Sequence, residues 1–193
     1  MSKPIQLPLF KDEVKVNECL ILIEPPRNVV DYVSILKREL QDEYGDFLSG
    51  NSKAHITISN FLVAENRIDK VISTIGRRLS LFPKFELQLK GFSTFDTGRT
   101  FFIGVEESKS FKYLAKEFET IKKEVVKTTK FYNSNTPHVT IARKLTTKAF
   151  KKIKEKYISK PFYYTFDVER LIVLKRNNSK DKYDFHSYIN LKN

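Results

Sequence analysis

The chain has 193 residues, of which 40% are hydrophobic and 30% charged, with 16 Phe and 9 Tyr; this is core material for one ordinary domain and excludes a disordered polymer. No apolar run is long enough to span a bilayer, the opening "MSKPIQLPLFKDEVKVN" lacks the pattern of a secretory leader, and the single Cys19 excludes a disulfide framework or zinc–thiolate site, so a cytoplasmic, non-membrane protein is expected. With 35 Lys and Arg against 23 Asp and Glu, the net charge of +12 points to a polyanionic partner, although lysines scattered as in "KKIKEKY" also serve solubility.

The first element in the chain is "ECLILIE", Glu18 to Glu24, short, apolar and stopped by Pro25 and Pro26, which predicts a buried strand with Cys19 packed as a small hydrophobe. A helix follows, with Asn28 as its N-cap, Val29, Val30, Val33, Ile35, Leu36 and Leu40 at helical spacing, and Gly45 as its stop. "HITISNF" alternates as a strand. "NRIDKVISTIGRRLSLFP" is helical, with Ile68, Val71, Ile72, Ile75 and Leu79 on one side and Pro83 at its end. Two strands, "KFELQLKGF" and "RTFFIGVE", are joined by the turn "DTGR". The second half repeats the order: a helix around "FKYLAKEFETIKKEVV", a polar loop, the strand "PHVTIAR", a helix around "TKAFKKIKEKY", then the strands "FYYTFDVERLIVLKR" and "YDFHSYINL". Two copies make two related lobes rather than a solenoid. The expectation is an α+β protein, one bilobal domain over 1–193, with a first lobe at about 28–106, a second at about 107–191, and strand 18–24 completing the sheet.

Two of the three histidines fall at matching places in this repeat, each followed at the second position by threonine: His55 with Thr57, and His138 with Thr140. Residues i and i+2 of a strand share a face, so each pair looks one way while Ile56 and Ile58, or Val139 and Ile141, look the other. If the apolar residues meet the helices, both His/Thr pairs line one groove between the lobes. Two imidazoles suit displacement at phosphorus: the neutral one takes a proton from the attacking oxygen and the charged one gives a proton to the leaving oxygen. Threonine hydroxyls can donate to the non-bridging oxygens as charge builds there.

The motifs "HITI" and "HVTI" resemble the His-x-Thr-x signature of the 2H phosphoesterase superfamily, and the order of elements is similar to its RNA 2',5'-ligase/2',3'-cyclic phosphodiesterase branch. The likeness runs from about Asn17 to Leu191 and includes "FELQLKGFSTF", "FFIGVE", "PHVTIAR" and "FDVERLIVLKR", which look like blocks of the bacterial members. It implies a bilobal α+β fold with a central groove and antiparallel sheets flanked by helices. It also implies activity on 2',3'-cyclic phosphates or 2',5'-linked RNA or nucleotide ends without a metal or other cofactor. Carried over residue by residue, His55 and His138 become the acid/base pair, Thr57 and Thr140 the phosphate-binding hydroxyls, and Arg143 a basic side chain near the substrate. Two positions depart from the pattern. Ala54 stands where a proline precedes the histidine, and strict alternation turns Arg143 away from His138.

Other residues carry less. His186 has Tyr at the second position and reads as structural or surface-exposed, while Arg99, Phe101 and Tyr132 lie where aromatic or basic groups could touch RNA but are not assigned to the site. Asp96, Asp181 and Asp184 have no metal-ligand spacing. The alternative to an enzyme is a non-catalytic RNA- or nucleotide-binding module using the same basic groove; a structural protein without a phosphate ligand is the third reading. The internal duplication supplies within one chain the symmetry others obtain by dimerising, so a monomer is expected.

Overall fold

The computed structural model describes residues 15–125, 131–177 and 179–192. The stretch 1–14, read above for a leader pattern, and the end of the third helix beyond residue 125 lie outside them. In chain order the elements are β1 (Val16–Ile23), α1 (Arg27–Tyr44), β2 (Ile56–Ala64), a short 3-10 turn (Glu65–Arg67), α2 (Ile68–Leu79), β3 (Phe85–Phe95), β4 (Thr100–Val105), α3 (Lys109–Val125), β5 (Phe131–Asn133), β6 (His138–Ala142), α4 (Thr147–Tyr157), β7 (Tyr163–Val168), β8 (Arg170–Arg176) and β9 (Asp184–Asn190).

The helices form where the apolar period requires them. In α2 all five residues of the expected stripe, Ile68, Val71, Ile72, Ile75 and Leu79, are buried. In α1 the stripe is Val29, Val33, Leu36 and Leu40, and Ile35 is solvent-exposed. Its start also differs from expectation: Pro26, not Asn28, occupies the N-cap, because a proline without an N–H fits the position whose carbonyl takes the first helical bonds, here from Val29 and Val30. Gly45, at φ +79°, closes the helix in a conformation that disfavours a Cβ. Thr146 caps α4 through its hydroxyl, which accepts from the Ala149 N–H at 3.2 Å.

All strand pairings are antiparallel and the strands form one sheet in the order β7-β3-β4-β6-β2-β1-β8-β9, with β5 beside β2. The sheet has two arms, β7-β3-β4-β6 and β2-β1-β8-β9, joined where β6 meets β2. Helices α1 and α4 pack on β3, β4 and β6, while α2 and α3 pack on β2, β5 and β9. The core is the layer between helices and sheet, built from Cys19, Ile21, Ile23, Ile56, Ile58, Phe61, Phe101, Ile103, Val139, Ile141, Leu171 and Val173 with the helical stripes.

Strand pairing does not follow the division of the chain near residue 106. β3 and β4, from the first half, hydrogen-bond to β7 and β6 of the second; β8 returns to β1, with β9 beside it. Periodicity reports which face of a strand is buried, not which strand lies beside it. The run "FYYTFDVERLIVLKR" is likewise not one strand but two: β7 pairs with β3 in one arm, the chain turns at Glu169, and β8 pairs with β1 in the other. The short β5 arises inside what reads as polar loop, because its backbone bonds to Ser59, Asn60 and Phe61 of β2.

Candidate functional site

The two arms meet at a single residue pair, Ile56 opposite Val139. Both side chains are fully buried on the helix side. Opposed residues of antiparallel strands share a face, so the flanking residues His55, Thr57, His138 and Thr140 all project to the other face, where each is half-buried. Counting outward from the shared pair, His55 falls on the Thr140 side and Thr57 on the His138 side. The sheet thus brings together two imidazoles and two hydroxyls that the sequence holds far apart.

Each imidazole is held in the same way. His55 Nδ1 lies 2.8 Å from the Lys53 carbonyl and His138 Nδ1 lies 2.7 Å from the Thr136 carbonyl, two residues upstream in both cases. A carbonyl only accepts, so Nδ1 carries the hydrogen, and in the neutral ring Nε2 is the open lone pair. Ala54, the departure from the family pattern, is buried beside His55 and leaves this arrangement the same as that after Pro137.

The surroundings of the two rings differ. Burial lowers the His55 pKa; the Lys53 carbonyl opposes this, and the positive charges of Lys37, Arg143 and His138 lower it further. Burial also lowers that of His138, opposed by the Thr136 carbonyl and helped by Arg143 alone. The His138 ring sits against two aromatics, edge-on to Phe95 at 5.1 Å and tilted against Phe102 at 4.9 Å. Its strand neighbour is Gly104, where a Cβ would come within 3.0 Å of the Lys90 carbonyl, so glycine lets β3 approach and leaves room beside the ring.

Arg143 reaches this face by a route that alternation conceals. On β6, Thr140 pairs with Phe102 and Ala142 with Phe101, leaving Ile141 as the extra residue of a β-bulge. Ile141 and Ala142 are both fully buried, so the alternation resets and Arg143 returns to the Thr140 side. Its charge acts on His55, His138 and Lys37. β2 repeats the device: Ile58 is the bulged residue between Thr57 and Ser59, and Asn60 is the counterpart of Arg143. Asn60 donates to Glu18 Oε1 at 2.7 Å and to the Tyr183 hydroxyl at 3.1 Å.

Lys37 escapes sequence reasoning. It is 2% exposed and its Nζ donates to the carbonyls of Ser49 and Ser52 and to the Ser52 hydroxyl, at 2.8, 2.7 and 3.1 Å. Burial, with Arg143 adding, brings its pKa down to about 8. The segment it holds links the two motif strands: Arg143 N–H bonds to the Leu48 carbonyl, the Ser49 hydroxyl to the Ile141 carbonyl, and His55 to the Lys53 carbonyl. Ser49 is kept at φ +83°, a left-handed conformation rare for a residue with a Cβ. The available signal was a lysine four residues after Val33 and three before Leu40, inside the apolar stripe of α1.

The unassigned residues divide. Phe101 is core, stacked on Phe92 at 5.4 Å, and Tyr132 is exposed on β5. Arg99 Nε donates to the Leu145 carbonyl. His186 lies in a bulge of β9 on the helix side, 3.6 Å from Asp69 of α2. Cys19 is buried in the core, its thiol pushed up to about 12 by burial. Among the described residues no group of three or more His, Cys, Asp or Glu is arranged to hold a metal ion, and no helix is long and apolar enough to cross a membrane.

The mixed helix/strand fold with its curled antiparallel sheet is that of the LigT-like 2H phosphoesterases. The apo crystal structure of Escherichia coli LigT is 15% identical, covering 93% of this chain and 99% of its own, with a TM-score of 0.69. The crystal structure of TT0787 from Thermus thermophilus is 16% identical over 90% and 97%, with a TM-score of 0.65. A further crystal structure, described as a phosphoesterase, gives 16%, 92%, 99% and 0.66. The model of the 2'-5' RNA ligase superfamily matches residues 25–180, and the chain belongs to that superfamily. No curated protein matches it by sequence.

Proposed function

We propose that this protein is a metal-independent phosphoesterase acting on 2',3'-cyclic phosphate or 2',5'-linked RNA or nucleotide substrates by two-histidine general acid/base catalysis. The observation that carries the reading is the pair of half-buried imidazoles on one face, each with Nδ1 tied to a carbonyl and Nε2 open. In the hydrolytic direction, Nε2 of one histidine takes a proton from water as its oxygen bonds to phosphorus. The P–O3' bond breaks, and Nε2–H of the other histidine protonates the departing oxygen to leave a 2'-phosphomonoester. Thr57 and Thr140 donate to the non-bridging oxygens, and Arg143 supports the anion from the end of β6. Because Lys37, Arg143 and His138 all oppose a proton on His55, we assign it the base and His138 the acid. With a 5'-hydroxyl in place of water as the nucleophile, the same groups would break the P–O3' bond, protonate O3' and join the ends through a 2',5' bond.

Superfamily membership supports an enzyme, and E. coli LigT has been crystallised with 3'-AMP, a nucleotide phosphomonoester. The test is incubation of purified protein with a nucleoside 2',3'-cyclic phosphate in excess chelator, followed by phosphorus NMR. A 2'-phosphate product that falls by about 10²–10⁴-fold in each of His55→Ala and His138→Ala is the expected result. Saturable binding without product would instead make the chain a nucleotide-binding module.

A further inference from the structure

The face that carries the histidines continues across the other strands of its arm. Cross-strand partners place Thr57, Leu22, Ile172 and Tyr188 in one row and Asn60, Leu20, Leu174 and Phe185 in the next, all on the same side of the sheet. The inner members form an apolar floor. At the edge strand β9 the floor ends in two large aromatics that are not covered: Phe185 is 55% exposed and Tyr188 48%. Their rings touch, with centroids 4.8 Å apart, and the Arg170 guanidinium lies 4.3 Å over the Tyr188 ring.

A single exposed aromatic needs no explanation. Two in contact, backed by a guanidinium and sharing a sheet face with the two His/Thr pairs, have the make-up of a surface on which bases of single-stranded nucleic acid stack while a cation meets the backbone. The Glu18 carboxylate, on β1 of this arm, is already engaged, paired with Arg176 and hydrogen-bonded by Tyr183 and Asn60. Three strand spacings separate Thr57 from Tyr188, about 14 Å on a sheet of ordinary geometry. A nucleoside whose phosphate rests between the histidines does not span that distance, but the next residue of a strand does. The net charge of +12 favours RNA over an uncharged or cationic partner.

We propose that Phe185, Tyr188 and Arg170 form a stacking subsite for a nucleotide beyond the reacting phosphate, so that the substrate is an oligoribonucleotide end rather than a mononucleotide. This rests on the phosphoesterase reading above. The test compares kcat/KM for a nucleoside 2',3'-cyclic phosphate with that for a single-stranded tetraribonucleotide ending in the same group. The wild type favours the tetranucleotide, and Phe185→Ala and Tyr188→Ala each reduce that preference by about tenfold, mainly through KM, with the mononucleotide rate unchanged. Phe185→Leu, which keeps apolar bulk on β9, shows the same loss if stacking is the cause. Arg170→Gln weakens the tetranucleotide and flattens its salt dependence. Equal kcat/KM for the two substrates in the wild type, or equal losses on both in the variants, overturns the subsite. Should neither substrate turn over, binding of a 3'-phosphorylated tetranucleotide, followed by anisotropy in wild type and variants, decides the subsite apart from the chemistry. Wild-type affinity no better than that of Phe185→Ala and Tyr188→Ala rejects it.

Discussion

Ile56 and Val139 face each other at the one residue pair joining the two arms of the sheet, and both are fully buried. A hydrophobic contact therefore lies directly behind His55 and His138. Trimming this contact should affect catalysis beyond its cost to folding. Ile56→Val and Ile75→Val each remove one buried methylene at about 1 kcal/mol, measurable by urea unfolding. The first should lower kcat, while the second, in α2, should not; equal effects on kcat would show that the joint does not set the site.

The two imidazoles give a pH prediction. Burial lowers the pKa of both, and the proposed acid/base pair needs one ring charged. For free enzyme, the required imidazolium is lost as pH rises through a range below the ordinary histidine value, so kcat/KM should fall on its alkaline side before neutrality. A bound phosphate anion favours the imidazolium and moves the alkaline limit of kcat upward. Both profiles should be bell-shaped with limits belonging to the pair. Rates measured from about pH 4.5 to 9 check this, and coincident alkaline limits would contradict it.

Arg143 is carried to the motif face by the Ile141 bulge, and its charge lowers both histidines. Arg143→Ala should raise KM by about 10- to 100-fold, the loss of a hydrogen-bonded charge. It should also shift both limits of the kcat/KM profile upward. An unchanged profile would place the guanidinium in solvent.

Lys37 makes a stability prediction whose sign is fixed. Its pKa is about 8 when folded, below the value of an exposed lysine. As pH rises from 8 towards that higher value, the folded chain releases a proton that the unfolded chain keeps, so the Lys37 contribution to stability increases. Relative to Lys37→Met, the wild type should therefore gain stability between about pH 8 and 10. The difference in urea midpoints across that range measures it, and a constant difference would show that Lys37 is charged throughout.

The assignment of His138 as acid can be separated from that of His55 as base. A cyclic substrate with bridging sulfur at the 3' position has a leaving group that needs no proton. His138→Ala should recover most of its lost rate on that substrate, and His55→Ala should recover little. The reverse pattern would exchange the two roles.

Much of this was readable in one dimension. The stripe of α2 is buried in full, Cys19 packs in the core, and His-x-Thr occurs twice in strands whose intervening residues are apolar. These readings succeed because side-chain period reflects which face of an element avoids water, and that is a local property. Residue type likewise pointed to the chemistry proposed above, since few side chains trade protons near neutrality.

Other features depended on space. The partners of β3, β4, β8 and β9, the turn at Glu169 and the existence of β5 follow from hydrogen bonds between segments distant along the chain. So does the orientation of Arg143, which simple alternation reverses: the bulged Ile141 exists only because β6 pairs out of step with β4. Lys37 had a place in the helical stripe, but its three acceptors come from a segment folded over it. The amino-acid order by itself determined which groups could do chemistry and which faces were apolar. Tertiary structure alone decided which of those groups meet, because cross-strand register is a long-range choice that no local pattern encodes.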